Sequence, residues 1–138
     1  MRKIMIVDDN YLSAEGIEKN IDWEVLNAEI VHICYNGTSA IDAMKKEPVD
    51  LIISDIEMPD LDGISMSRQA LDINPMVKII LISAYDKFEY ARRALLLGAL
   101  DYIEKPLDYA YLIQKVKNAF ALMEREQKNL QLLKQSLS

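Results

Sequence analysis

Short, uninterrupted apolar runs recur along the chain, each ending in polar turn residues and followed by apolar residues at helical spacing. Ile4-Met5-Ile6-Val7 stops at Asp8-Asp9-Asn10, after which Leu12, Gly16, Ile17 and Ile21 recur about once per helical turn. This predicts a strand, an acidic turn and a helix with Asn10 as its N-cap. Ile30 to Cys34, rich in β-branched residues, ends at Asn36-Gly37, and Ala40, Ile41 and Met44 then predict a helix closing before Pro48. Leu51 to Ser54 is a third strand that delivers Asp55. Pro59 and Gly63 turn the chain into a helix carrying Ile64, Met66, Ala70, Leu71 and Ile73, which stops around Asn74-Pro75. Val77 to Ile82 is a fourth strand ending at Ser83. Asp86 and Glu89 read as a capping pair for a fourth helix running to Leu97, with Gly98 marking its end. Leu100 to Ile103 is a fifth strand, ended by Glu104-Lys105-Pro106. Asp108 then caps a fifth helix through Leu112, Ile113, Val116, Ala119, Phe120 and Met123.

Alternating strands and helices of this kind predict an α/β fold with a parallel sheet covered on both faces. Because parallel strands all point one way, Asp8, Asp9, Asp55, Ser83 and Lys105 are expected along a single edge, where open α/β sheets bind ligands. Carboxylates gathered there repel one another unless a cation joins them, and hard divalent cations take oxygen ligands from such clusters. Asp8, Asp9 and Asp55 set against Lys105 leave two negative charges over, which Mg²⁺ cancels. Such a pocket can accept a phosphoryl group: an Asp carboxylate is a nucleophile toward phosphorus, and transfer relies on positioning and on cations. Ser83 offers a hydroxyl donor, and Lys105 a mobile point charge for a phosphate oxygen. The chain has neither a GxxxxGK loop nor a GxGxxG, so the phosphoryl group is expected from another protein or a small phosphodonor rather than from a nucleotide.

Composition narrows the classes. With 138 residues and 51% in the hydrophobic set, the chain is long enough for one domain with a real core. A formal net charge of -6 and a pI near 4.8 argue against a direct grip on nucleic-acid phosphates. Cys34, the only cysteine, has no disulfide partner and reads as a small core hydrophobe in a reducing compartment. The few apolar residues after Met1-Arg2-Lys3 are too short for a signal peptide or a membrane span, so a cytoplasmic location without membrane contact is expected. His32, in the second strand, reads as structural. Trp23 is expected to pack near the end of helix one, and Asp60 and Asp62 to serve turns and caps.

No Pro or Gly interrupts residues 107 to 138, which predicts that the last helix runs on past the domain. Val116, Met123, Leu130 and Leu137 are spaced by sevens, with Ala119 and Leu133 at intervening positions and Glu126 breaking the seam. That is a short coiled-coil pattern, suited to a dimerising or signal-carrying helix, with a solvated, fraying linker as the competing reading.

The whole pattern resembles the receiver domain of two-component response regulators, from about Arg2 to Phe120. The resemblance is carried by Asp8-Asp9, by Asp55-Ile56-Glu57-Met58-Pro59-Asp60-Leu61-Asp62-Gly63, by Ser83-Ala84 and by Lys105-Pro106, in that order. The segments Ile21-Asp22-Trp23-Glu24 and Tyr85 to Ala91 resemble the subfamily whose receivers precede an AraC-type DNA-binding domain. The resemblance implies a flavodoxin-like sheet of order 2-1-3-4-5; with the tail pattern, the expected division is a receiver domain over 1-122 and a C-terminal helical extension or coiled-coil linker over 123-138. It implies that Asp55 is the phosphoacceptor for a histidine kinase, and that Asp8, Asp9 and Asp55, with the Glu57 carbonyl, serve Mg²⁺, Asp8 through water. It further implies that Lys105, preceding a cis proline, pairs with the phosphoryl group, and that Ser83 and Tyr102 form the switch. Glu57 and Tyr85 occupy positions that influence dephosphorylation in this family. Partners expected on the same basis are the kinase and a second copy, bound through the extended last helix or the face from helix four to strand five. DNA is expected only through a domain beyond Ser138, which makes the chain read as a piece of a longer regulator. Such a module is a signalling acceptor and not an enzyme. Two other classes compete: a small Mg²⁺-dependent phosphohydrolase with an aspartyl-phosphate intermediate, and a constitutive dimerisation module with a vestigial pocket.

Overall fold

The apolar runs become β1 (Arg2–Val7), β2 (Ala28–Cys34), β3 (Leu51–Asp55), β4 (Lys78–Ser83) and β5 (Asp101–Glu104). Between and after them lie α1 (Tyr11–Asn20), α2 (Gly37–Lys46), α3 (Gly63–Ile73), α4 (Phe88–Leu97) and α5 (Tyr109–Leu137). The computed structural model describes residues 1–84 and 88–137, Phe88 by its backbone alone. Tyr85 and the cap expected at Asp86 lie outside the described residues. The strands form one parallel sheet in the order β2-β1-β3-β4-β5, the flavodoxin-like arrangement that the resemblance implies.

Alternation along each strand explains why the runs are apolar without a break. Ile4 and Ile6 face a core built with Ala14 and Ile17 of α1 and Leu112 and Val116 of α5. Met5 and Val7 face the opposite core, shared with Ala40 and Met44 of α2, Ile64 and Met66 of α3 and Ala94 of α4. Both faces of the central strands are therefore dry, and a period of two collapses into a continuous apolar stretch.

Hydrogen bonding carries several strands farther than hydropathy does, because the ladder lasts as long as a neighbour offers groups to pair. Arg2 pairs with Ala28, so β1 and β2 begin before their apolar runs. Asp55 pairs with Ile82 and Ser83 with Glu104, so both are the last residues of strands and inherit the sheet's rigidity. Asn10 caps α1, its side chain accepting from the N–H groups of Leu12 and Ser13. Asp108 accepts from those of Ala110 and Tyr111 at the start of α5. Gly98, at φ +93, ends α4 in the left-handed region that a side chain disfavours.

α5 spans 29 residues. Its first half packs Leu112, Val116, Ala119 and Met123 into the core, so the start of the heptad pattern is occupied by the helix's own sheet. Glu126, the polar interruption in that pattern, meets the Lys78 ammonium of β4 at 2.7 Å. Beyond it Leu130, Leu133 and Leu137 are exposed. Among the described residues no helix is long and apolar enough to cross a membrane.

The start of α3 lies hard against the end of β3. Gly63 donates its N–H to the Ile56 carbonyl at 2.8 Å, and a Cβ at this position would collide with the carbonyl oxygen of Asp55. Gly63→Ala is expected to cost about 1–3 kcal/mol in urea unfolding, because α3 must back away from the sheet. An unchanged midpoint would show that this contact yields freely.

Candidate functional site

The turn after β1 fixes Asp8 from two sides. Its N–H donates to the Cys34 carbonyl at 3.0 Å, and its Oδ1 accepts from the Asn10 N–H at 2.9 Å. Asn10 in turn caps α1, so strand, acid and helix form one rigid unit. Asp8 is buried and Asp9 exposed, while Asp55 reaches the same place from β3 and is also buried. One carboxylate oxygen from each of Asp8, Asp9 and Asp55 lies within 4.8 Å of the others.

Lys105 closes the cluster from the end of β5. Its N–H donates to the Ser83 carbonyl at 2.8 Å, and the Lys105–Pro106 bond is cis, as expected. Its ammonium lies 3.1 Å from Asp55 Oδ2 and 3.8 Å from Asp8 Oδ2. The other Asp55 oxygen, Oδ1, is buried with no hydrogen-bond partner among the described residues.

These contacts leave the acids under-compensated. Burial pushes the Asp8 carboxyl up to about 6; the Asn10 N–H works against this, and the charge of Asp55 adds to it. Burial also raises Asp55, with the hydrogen bond and charge of Lys105 holding it back. For Lys105, burial pulls the pKa down, but the hydrogen bond and charge of Asp55, together with Asp8 and Asp9, outweigh it and leave the ammonium more basic than usual. An oxygen-only donor set, excess negative charge and an orphaned buried carboxylate oxygen fit a hard divalent cation.

The remaining sequence candidates fall around this cluster. Ser83, fully buried at the end of β4, donates its hydroxyl to Glu57 Oε1 at 2.8 Å. The Glu57 side chain thus points to the hydroxyl. Tyr102 pairs with Leu81 in the sheet and sits half-buried against the core of α2, α3 and α4. Asp62 caps α3 by accepting from the Ser65 N–H. His32 bonds to the Glu47 carbonyl, and Trp23 is buried with its indole N–H donating to Ile17. Asp60 does more than serve its own turn. Its two oxygens accept from the N–H groups of Gly37 and Thr38, each at 3.3 Å, pinning the β3–α3 loop onto the start of α2. Neither this clamp nor the Glu57–Ser83 bond has a signature in sequence spacing. Polar residues beside the Asp55 motif are the only hint.

Comparison with known proteins agrees with this geometry. The family described as response regulator receiver domain matches residues 4–117. The REC domain of AraT, a response regulator from Geobacillus stearothermophilus, superposes with a TM-score of 0.85 at 34% identity, covering 91% of this chain and 98% of that one. A two component transcriptional regulator AraC from Clostridium phytofermentans ISDg gives a TM-score of 0.82 at 29% identity, covering 94% and 99%. The uncharacterized transcriptional regulatory protein YesN of Bacillus subtilis is 29% identical over 126 residues, 91% of this chain but 34% of that protein. The chain spans between a third and a half of the length of the curated relatives it matches.

The raised Asp8 pKa has a signed consequence for stability. A carboxyl at about 6 in the fold and near 3.8 when unfolded contributes stability below the lower value, and this is lost as pH rises through the upper one. Asp8→Asn keeps the acceptor for Asn10 and removes the charge. In metal-free buffer at neutral pH it is expected to stabilise the fold by about 1–3 kcal/mol, with the gain fading toward pH 4. Denaturant midpoints of both proteins across pH check this, and a gain that does not fade would refute it.

Proposed function

The chain belongs to the response regulator receiver domain family, and on that premise we propose that it takes a phosphoryl group from a histidine kinase onto Asp55 and converts this into a change of surface. The observation that carries the proposal is the state of the Asp55 carboxylate. One oxygen is held by Lys105 and the other is buried without a hydrogen-bond partner among the described residues, beside two further acids.

In the transfer a carboxylate oxygen of Asp55 attacks phosphorus in line, the phosphorus–nitrogen bond of the phosphohistidine breaks, and the departing imidazole takes up a proton. The product is an acyl phosphate. Asp8, Asp9 and Asp55, with the Glu57 carbonyl, would hold Mg²⁺, Asp8 through water. The ion supplies charge neutralisation for the phosphoryl oxygens. Lys105 moves its hydrogen bond from the carboxylate to the phosphoryl group, which suits a flexible ammonium. Ser83 turns its hydroxyl to the new oxygens and Tyr102 follows. The protein is an acceptor that is modified once per signal, and not a turnover enzyme.

We assign the output to a separate DNA-binding domain. Relatives described as transcriptional regulators support a DNA-binding domain elsewhere in the natural protein and a cytoplasmic location. Pairing of two copies is assigned to the projecting turns of α5, where Leu130, Leu133 and Leu137 are exposed, or to the face from α4 to β5, where Leu95 and Leu96 are exposed.

Incubation with a small phosphodonor and Mg²⁺ is expected to add up to one phosphoryl group per chain as an acid-stable, base-labile adduct. Asp55→Asn should add none, and chelation of the metal should abolish uptake; equal labelling of Asp55→Asn would overturn the assignment. Ser83→Ala is expected to accept the group but to show a much smaller conformational response by amide NMR. A full response would remove Ser83 from the switch.

A further inference from the structure

Resting on the phosphoacceptor reading, one contact of the site is not explained by acceptance itself. The Ser83 hydroxyl is already given to the Glu57 carboxylate, with Oγ 2.8 Å from Oε1. A serine hydroxyl has a single proton to donate, and an ionised carboxylate can only accept. While Glu57 holds that proton, Ser83 cannot donate it to a phosphoryl oxygen. Glu57 is therefore an anion of the chain standing where the incoming anion must make one of its bonds.

We propose that Glu57 is an internal competitor for the Ser83 hydroxyl, which sets how strongly a phosphoryl group must bind before the switch turns. The geometry supplies both the holding position and the place of release. Ser83 is fully buried and fixed by the β4–β5 ladder, so the hydroxyl can only rotate, whereas Glu57 is half-buried in the β3–α3 loop. Glu57 also lines a cleft of about 470 Å³ between that loop and α4, with Asp9, Asp62, Tyr90 and Arg93 among its walls. A phosphoryl group adds about -1.5 to -2 charges beside Glu57. Like-charge repulsion drives the carboxylate off the hydroxyl and into the cleft, toward the guanidinium of Arg93. Exchange of one charged acceptor for another keeps Ser83 satisfied in both states, so two discrete arrangements exist with no unpaired hydroxyl between them. Because the displaced side chain moves to the α4 side, it carries the signal there along a route separate from Tyr102.

Beryllofluoride, a tetrahedral anion that binds carboxylates as phosphoryl does, is the probe, titrated with Mg²⁺ into the whole chain and followed by amide NMR. Substitution of the Glu57 side chain leaves its backbone carbonyl in place. Glu57→Ala is expected to bind the probe about tenfold more tightly than the original protein, the scale of one lost hydrogen bond to a charged group. In the Ser83→Ala background the same change should gain less than about threefold, because no hydroxyl remains to be released. Glu57→Gln, which keeps an acceptor for Ser83, should fall between the two. In metal-free protein without probe, Glu57→Ala should shift the Ser83 amide toward its probe-bound position. No gain in Glu57→Ala, or a gain equal in both Ser83 backgrounds, would leave charge repulsion alone and overturn the proposal. Failure of the unsubstituted protein to bind the probe would overturn the phosphoacceptor reading and this one with it.

Discussion

The Lys105 ammonium is the only positive charge that the described structure sets against the buried acids of the sheet edge, 3.1 Å from Asp55 and 3.8 Å from Asp8. Like charges this close in a partly desolvated site are costly, and Lys105 offsets part of that cost without removing it. Burial pushes Asp8 up to about 6 and raises Asp55 even with the lysine present. The edge carries buried negative charge that its own lysine does not fully compensate, at positions fixed by the ends of the strands.

Holding that charge in place requires rigid surroundings. Asp8 is locked between β1 and the cap of α1, and Asp55 is the last rung of β3 with α3 pressed against its carbonyl. Asp60 ties the loop after Asp55 to the start of α2. Two dry cores, one with α1 and α5 and the other with α2, α3 and α4, hold the strands so that these side chains cannot drift apart. The groups there with long or rotatable stems are Lys105, Glu57 and the Ser83 hydroxyl.

Much of this was legible in the sequence because it follows from local rules. Apolar runs ending in polar turn residues predicted five parallel strands, and parallel strands put Asp8, Asp9, Asp55, Ser83 and Lys105 on one edge, where the structure has them. The caps at Asn10 and Asp108 followed from residue type and place. The contacts that sequence did not disclose join residues whose separation carries no period: Glu57 to Ser83, Asp60 to Gly37, Lys78 to Glu126. Strand ends were missed by a residue or two because pairing, which hydropathy does not report, decides where a ladder stops. Seven-residue spacing along α5 was ambiguous for a further reason: a helix packing on its own sheet and one packing on a twin use the same stripe, and only contacts tell where one use ends.

That changeover falls between Met123, the last core residue of α5, and Leu130, with the Lys78–Glu126 ion pair between them. β4 thus carries Lys78 at one end and Ser83 at the other, so the strand that ends beside the acidic cluster also braces the helix where it leaves the domain. Past Met123 the helix continues for roughly 20 Å at 1.5 Å per residue. It is a lever with its fulcrum at the foot of β4: a tilt of a few degrees at the packed end displaces the far end by one to two ångströms, enough to bring an apolar stripe into or out of register with whatever lies against it.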